Sequence, residues 1–216
     1  MKLKYLFLSG IFLISCKTEM VEKPMVTTLN VYDVVLKNGQ PTKGKPLYKE
    51  AFEYNTEGRI SQHFQYDQVG NLRSREIYPE VYGESDTIKT SFYNASNILQ
   101  SNYVKIFNSD KEKVEVLAYE ASTQELLRKE VFEYDTNRNL KSKKVYTADN
   151  MLYRHQMFEY DEYGNETSVK ILDENKDIIF EETYDISTYD GKKMWIEKWG
   201  YRNGEPKSFR KRELEY

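Results

Sequence analysis

Cysteine is almost missing from this 216-residue chain: Cys16 is the single copy. No disulfide can form within the chain, so the fold must be held by packing alone. Five prolines and ten glycines are too few for a low-complexity tract. Histidine occurs only at His63 and His155, with no cysteine or acid near either at ligand spacing. An excess of one charge is lacking as well, because 32 Lys and Arg face 35 Asp and Glu for a net charge of -3. Without a basic block, the electrostatic footprint of a nucleic-acid binder is excluded. The apolar run from Tyr5 to Ile14 is about half of the roughly 20 residues that a membrane-crossing helix needs.

Aromatic residues are abundant. Nineteen Tyr, ten Phe and two Trp are large, stiff and β-favouring, and the expectation is an all-β protein. Lys2 and Lys4 precede the apolar run, which is the order of a secretion signal. Leu13-Ile14-Ser15-Cys16 then resembles the lipobox of bacterial lipoproteins. That resemblance implies a lipoprotein signal peptide over 1–15, acylation of Cys16 and a membrane partner reached through the lipid anchor. Two or more acyl chains give stable anchoring where one does not. Lys17 after the cysteine resembles the pattern of lipoproteins sent to the cell outer membrane, with the periplasmic or surface face left open. Residues 16–26, with Pro24 and no alternation, read as a flexible tether, and 27–216 as one domain.

A phrase recurs along that domain. Phe52-Glu53-Tyr54-Asn55, Phe64-Gln65-Tyr66-Asp67, Phe132-Glu133-Tyr134-Asp135 and Phe158-Glu159-Tyr160-Asp161 are near copies, and Phe92-Tyr93-Asn94 is a worn one. Asp or Asn opens a turn, two residues follow, and Gly or Asn takes the left-handed seat of a three-residue hairpin loop. The register then sets Tyr54 against Ile60, Tyr66 against Leu72, Tyr93 against Leu99 and Tyr134 against Leu140. Ala148-Asp149-Asn150 and Glu174-Asn175-Lys176 are further turns, pairing Tyr146 with Leu152 and Leu172 with Ile178, and Asn203-Gly204 is a two-residue one. The outcome is a meander of about 13 or 14 antiparallel strands in a curved or twisted sheet. Pro41 and Pro46 are expected to bracket a loop. Plain alternation puts Tyr48, Phe52, Tyr54, Phe64 and Tyr66 on a greasy face and Glu53, His63, Gln65 and Arg75 on a wet one. Between Val104 and Met157 both faces are apolar, which reads as a sandwiched half.

The full phrase Y-D-x-x-G-N at Tyr66 to Asn71 and Tyr160 to Asn165 resembles the tyrosine-aspartate (YD, Rhs) repeat family. The resemblance implies a winding β-sheet and, among short envelope lipoproteins with such repeats, a non-enzymatic binding or scaffold module for a glycan or protein. Two alternatives stand beside it: a periplasmic carrier of an apolar ligand on the greasy face, and a toxin-associated or immunity lipoprotein. No nucleophile set, phosphate loop or cofactor motif is present, so neither enzyme nor cofactor is expected. Asp173, Asn175 and Asp177 imitate a calcium loop, but Ile178 stands where glycine is needed, and the segment reads as a hairpin tip. Glu133 and Glu159 read as cross-strand charge partners. Trp195, Trp199 and Tyr201 share a face by alternation and are the first choice for a ligand- or partner-binding patch.

Overall fold

The computed structural model describes residues 25–56, 58–79 and 86–215; the signal, Cys16 and nearly all of the tether lie outside the described residues. Among the described residues strands alone make up the regular structure: β1 (Met25–Lys37), β2 (Gln40–Tyr54), β3 (Ile60–Tyr66), β4 (Leu72–Ile77), β5 (Thr87–Asn94), β6 (Leu99–Phe107) and β7 (Lys113–Glu120). They continue as β8 (Leu126–Tyr134), β9 (Leu140–Thr147), β10 (Leu152–Tyr160), β11 (Glu166–Leu172), β12 (Ile178–Tyr189), β13 (Trp195–Arg202) and β14 (Glu205–Glu215). Each strand pairs antiparallel with its sequence neighbours, and β14 returns to β1 with Val31 opposite Arg210, closing the meander into a barrel. The all-β single domain is as the repeat implies. Closure is the addition, and it removes both edges that an open sheet would leave.

The turn grammar is realised atom by atom. The Asp67 N–H donates to the Asn71 carbonyl at 2.9 Å, and the Gly70 N–H returns to the Asp67 carbonyl at 3.2 Å. The Asp67 carboxylate accepts the N–H groups of Val69 and Asn71 at 2.9 and 2.8 Å and the Asn71 side-chain amide at 3.1 Å. Asp135 with Asn139 and Asp161 with Asn165 repeat the arrangement. These donors, the Asn71 N–H first, hold the Asp67 carboxyl below its ordinary range. Asp173 spends its carboxylate on the N–H groups of Asn175 and Asp177, as a hairpin tip does. All six aromatic-aliphatic and aliphatic pairs named above are register partners in the barrel.

Three expectations fail here. Asn38-Gly39, with φ of 52° and 77°, is the turn after β1, so Pro41 and Pro46 lie within β2 instead of bracketing a loop. Pro46 sits opposite Tyr32 at a register shift, where a missing N–H is tolerated. The greasy and wet faces are also wrong. Most three-residue hairpins carry a bulge beside the loop, as between Glu53 and Tyr54 against β3, and one extra residue inverts the side-chain alternation. Phe52 therefore faces His63, with ring centroids 4.5 Å apart and nearly parallel planes. The segment from Val104 to Met157 is covered by closure of the sheet and not by a second layer.

Register partners share a face, and burial tells which face is the lumen. Along β12, Glu182 and Tyr184 are buried while Glu181, Thr183 and Asp185 are exposed. Following the ladders around the barrel, Val31, Val116, Ala118, Phe132 and Val169 point inward with them. The tyrosines of the repeat act as latches: Tyr134 donates its hydroxyl proton to the Lys113 carbonyl, and Tyr160 to the Leu140 carbonyl, each at 3.0 Å. Its glutamates point outward, where Glu133 accepts from Ser142 at 2.9 Å and Lys144 at 2.6 Å, and Glu159 from Ser168 at 2.8 Å and Lys170 at 3.2 Å.

Candidate functional site

The lumen is polar in a patterned way. Around the buried ring of Phe132, the cations Lys105, Lys113, Arg128, Lys143 and Arg154 share the wall with Glu76 and Glu130. Lys105 reaches past β5 to Glu76 at 2.7 Å and donates to the Tyr78 hydroxyl at 2.8 Å. Glu130 takes both Arg128 at 3.0 Å and Lys143 at 2.8 Å; burial would raise its carboxyl, but these two cations outweigh it and hold it below the ordinary range. The Lys113 ammonium lies 4.4 Å from the centre of the Phe132 ring. Burial first, then repulsion by Lys105 and Lys143, pulls it down to about 8. Arg154 packs its guanidinium 5.5 Å from the Tyr153 ring centre and has no carboxylate at ion-pair distance among the described residues.

Beside these groups is a cavity of about 410 Å³, lined by Arg128, Glu130, Lys143, Val145, Arg154 and Gln156 from the inward faces of β8, β9 and β10, with Leu127 and Tyr153 at its rim. Strand direction fixes which end it opens to. Met25 and Glu215 are register partners at one end of the barrel. The turns after odd-numbered strands, including those after β7 and β9 that frame the cavity, lie at the other end. A second depression of about 540 Å³ lies on the wall between Lys89, Asn102, Tyr119 and Gln124.

A second inner cluster centres on Glu182, which is 2% exposed. It accepts from Arg210 at 2.6 Å, the Tyr184 hydroxyl at 2.9 Å and the Ser208 hydroxyl at 3.1 Å. Gly200 leaves the room: a Cβ there would stand 2.3 Å from the Ser208 hydroxyl oxygen. Lys198 lies 3.6 Å over the Tyr184 ring and 3.5 Å from Glu166, and burial lowers it to about 8.

The aromatic trio separates. Trp199 faces outward and packs on the buried Phe209 at 4.7 Å, beside Tyr32, and Tyr201 faces outward opposite Pro206. Trp195 is turned inward by the bulge before Glu197, with Arg212 4.3 Å and Lys198 4.8 Å from its ring centre. The three are half-buried and do not form one patch. His63 faces the lumen, 3.2 Å from Glu50, whereas His155 faces outward opposite Lys144. Arg128, Lys143 and Arg154 escaped sequence reading because simple alternation assigns such charges to solvent.

No known protein family matches this chain, and no curated protein is similar to it. Solved structures show likeness of backbone shape. A porin-like protein from Bacteroides uniformis is similar over 88% of this chain and 98% of its own, at 11% identity and a TM-score of 0.48. A porin-like protein from Bacteroides vulgatus is similar over 89% and 99%, at 12% identity and a TM-score of 0.39. A chain of TcdB2-TccC3 without its hypervariable C-terminal region matches over 81% of this chain and 11% of its own, at 12% identity and a TM-score of 0.30.

Proposed function

We propose that this protein is a non-enzymatic binding module of the bacterial cell envelope, held to the outer membrane by lipid on Cys16 and taking a glycan or the polar group of an envelope protein at the open mouth of its barrel. The observation that carries this reading is the placement of the lumen cavity at the end opposite Met25 and Glu215. A chain tethered through residues 16–26 presents that mouth away from the bilayer.

The outward wall supports a barrel that stands in water. Glu133 with Lys144, Glu159 and Glu181 with Lys170, and Glu197 with Lys211 occupy outward positions within the strands. A bilayer-spanning barrel needs an apolar outward band, and a Lys or Arg at its midplane costs about 2–4 kcal/mol. The same distribution removes the support for an apolar-ligand carrier, since the expected greasy face does not exist. The separation of His63 from His155 onto opposite faces favours binding over catalysis. The Y-D-x-x-G-N turns are read as YD-type repeats closed into a small ring.

Metabolic labelling with a palmitate analogue tests the anchor. The wild-type chain is expected to be labelled and to sediment with membranes, and Cys16→Ala to be unlabelled and released. Equal membrane retention of the unlabelled variant overturns the anchored reading.

A further inference from the structure

The charge of the mouth cavity narrows the ligand, on the premise that the barrel is a binding module. We propose that the cavity recognises an acidic sugar, with its carboxylate or phosphate held by Arg154 and by the Arg128 and Lys143 pair, and its ring laid against Tyr153 and Val145. Elsewhere in the lumen the buried cations Lys113 and Arg212 lie over the rings of Phe132 and Trp195, while Lys105, Arg210 and Lys198 meet the carboxylates of Glu76, Glu182 and Glu166. That is the structural way to keep a charge inside a protein. The mouth differs in setting more cations than carboxylates around an open cavity. Arg128 and Lys143 divide the single carboxylate of Glu130, Gln156 is neutral, and among the described residues Arg154 has only the face of Tyr153. Three cations against one anion line a cavity of about 410 Å³, a size typical of small-ligand sites of roughly 300–1,000 Å³.

The excess is local, since the chain as a whole carries -3. Positive charge concentrated in a concave, low-dielectric wall attracts anions more strongly than the same charges spread over a surface. Guanidinium groups match the geometry of carboxylate and phosphate oxygens. Tyr153, 64% exposed, and Leu127, 43% exposed, stand beside them as uncovered apolar surface; an aromatic ring next to a cation suits a ligand with both a ring face and an acid.

The test is titration of the full-length protein with glucuronic acid, glucose 6-phosphate and glucose, followed by calorimetry or ligand-observed NMR. Binding of at least one acid is expected, with glucose weaker by about tenfold or more and with affinity falling as salt rises from roughly 0.05 to 0.3 M. Whichever acid binds tighter identifies the oxyanion. Arg154→Gln should weaken acid binding about tenfold at an unchanged unfolding midpoint, and Lys211→Gln on the outward wall should change neither. Glucose or a neutral oligosaccharide binding as tightly as the acids, and equally in Arg154→Gln, overturns the acidic-sugar site while leaving a binding module. Absence of binding to all three sugars overturns the acidic-sugar site and leaves the module with an envelope protein as its partner.

Discussion

Glu182 and Arg210 meet at 2.6 Å across the full width of β13, and Glu182 is only 2% exposed. Removing one partner leaves the other as an uncompensated buried charge, which costs about 3–5 kcal/mol. Glu182→Ala is therefore expected to lower unfolding stability by that amount in urea titrations. Replacing both residues, as Glu182→Leu with Arg210→Met, should recover most of the loss; failure to recover would show that the carboxylate also organises Tyr184 and Ser208.

Asn165 ties two turns together. Its side-chain amide donates to the Lys193 carbonyl at 2.9 Å and accepts the Trp195 N–H at 3.0 Å, while also serving Asp161 in its own loop. Asn165→Ala strands buried groups and should cost about 1–3 kcal/mol. Asn71→Ala, at the equivalent but exposed position, should cost less than half as much. Parallel chemical denaturation of the two variants is the check.

Gly70 stands at φ +89° with open space around it, so Gly70→Ala creates no clash and its cost is purely that of a left-handed backbone, about 1–2 kcal/mol. Gly191 also has open space but an ordinary backbone, and Gly191→Ala should stabilise by about 0.4–1 kcal/mol through the unfolded chain. Opposite shifts of the melting temperature are expected for the pair.

The Lys113 ammonium titrates near 8 in the folded barrel and at its ordinary 10.5 when unfolded. Between those values the unfolded chain binds more protons, so this group makes stability rise with pH from about 8 towards 10, by at most about 1.4 kcal/mol per pH unit. Below 8 it is protonated in both states, and the burial penalty is fully present. Urea unfolding of wild type and Lys113→Met at pH 7.5 and 9.5 isolates the effect: the wild type should gain relative to the variant at the higher pH. Relative loss would mean that Lys113 is stabilised as a cation.

The hairpins were legible because their information is local. Tyr66 meets Leu72 as the spacing of Asp67, Gly70 and Asn71 dictates. Arg138 and Lys176 take left-handed seats, with φ of 67° and 69°, without glycine to announce them. Closure was not legible, since the pairing of Val31 with Arg210 joins the two ends of the chain, and no short-range pattern encodes it. Nor was the lumen, because each bulge exchanges inside for outside: it brings His63 from the expected wet face to the inner wall and parts Trp195 from Trp199 and Tyr201. The Asn38-Gly39 corner is a local signal of the same kind, masked by Pro41 and Pro46 because proline marks loops more often than strand interiors.

Because Met25 and Glu215 are register partners, the barrel has a beginning and an end only by convention of the chain. A short linker between those residues would make the backbone a continuous ring, and the ring could be reopened at Asn203-Gly204, where nothing but a two-residue corner would be cut. Such a circular permutant would keep every ladder while moving the free ends to the opposite mouth. A lipid grafted there would present the Met25 mouth, in place of the Asn203-Gly204 mouth, to the solvent beyond any bilayer that held it.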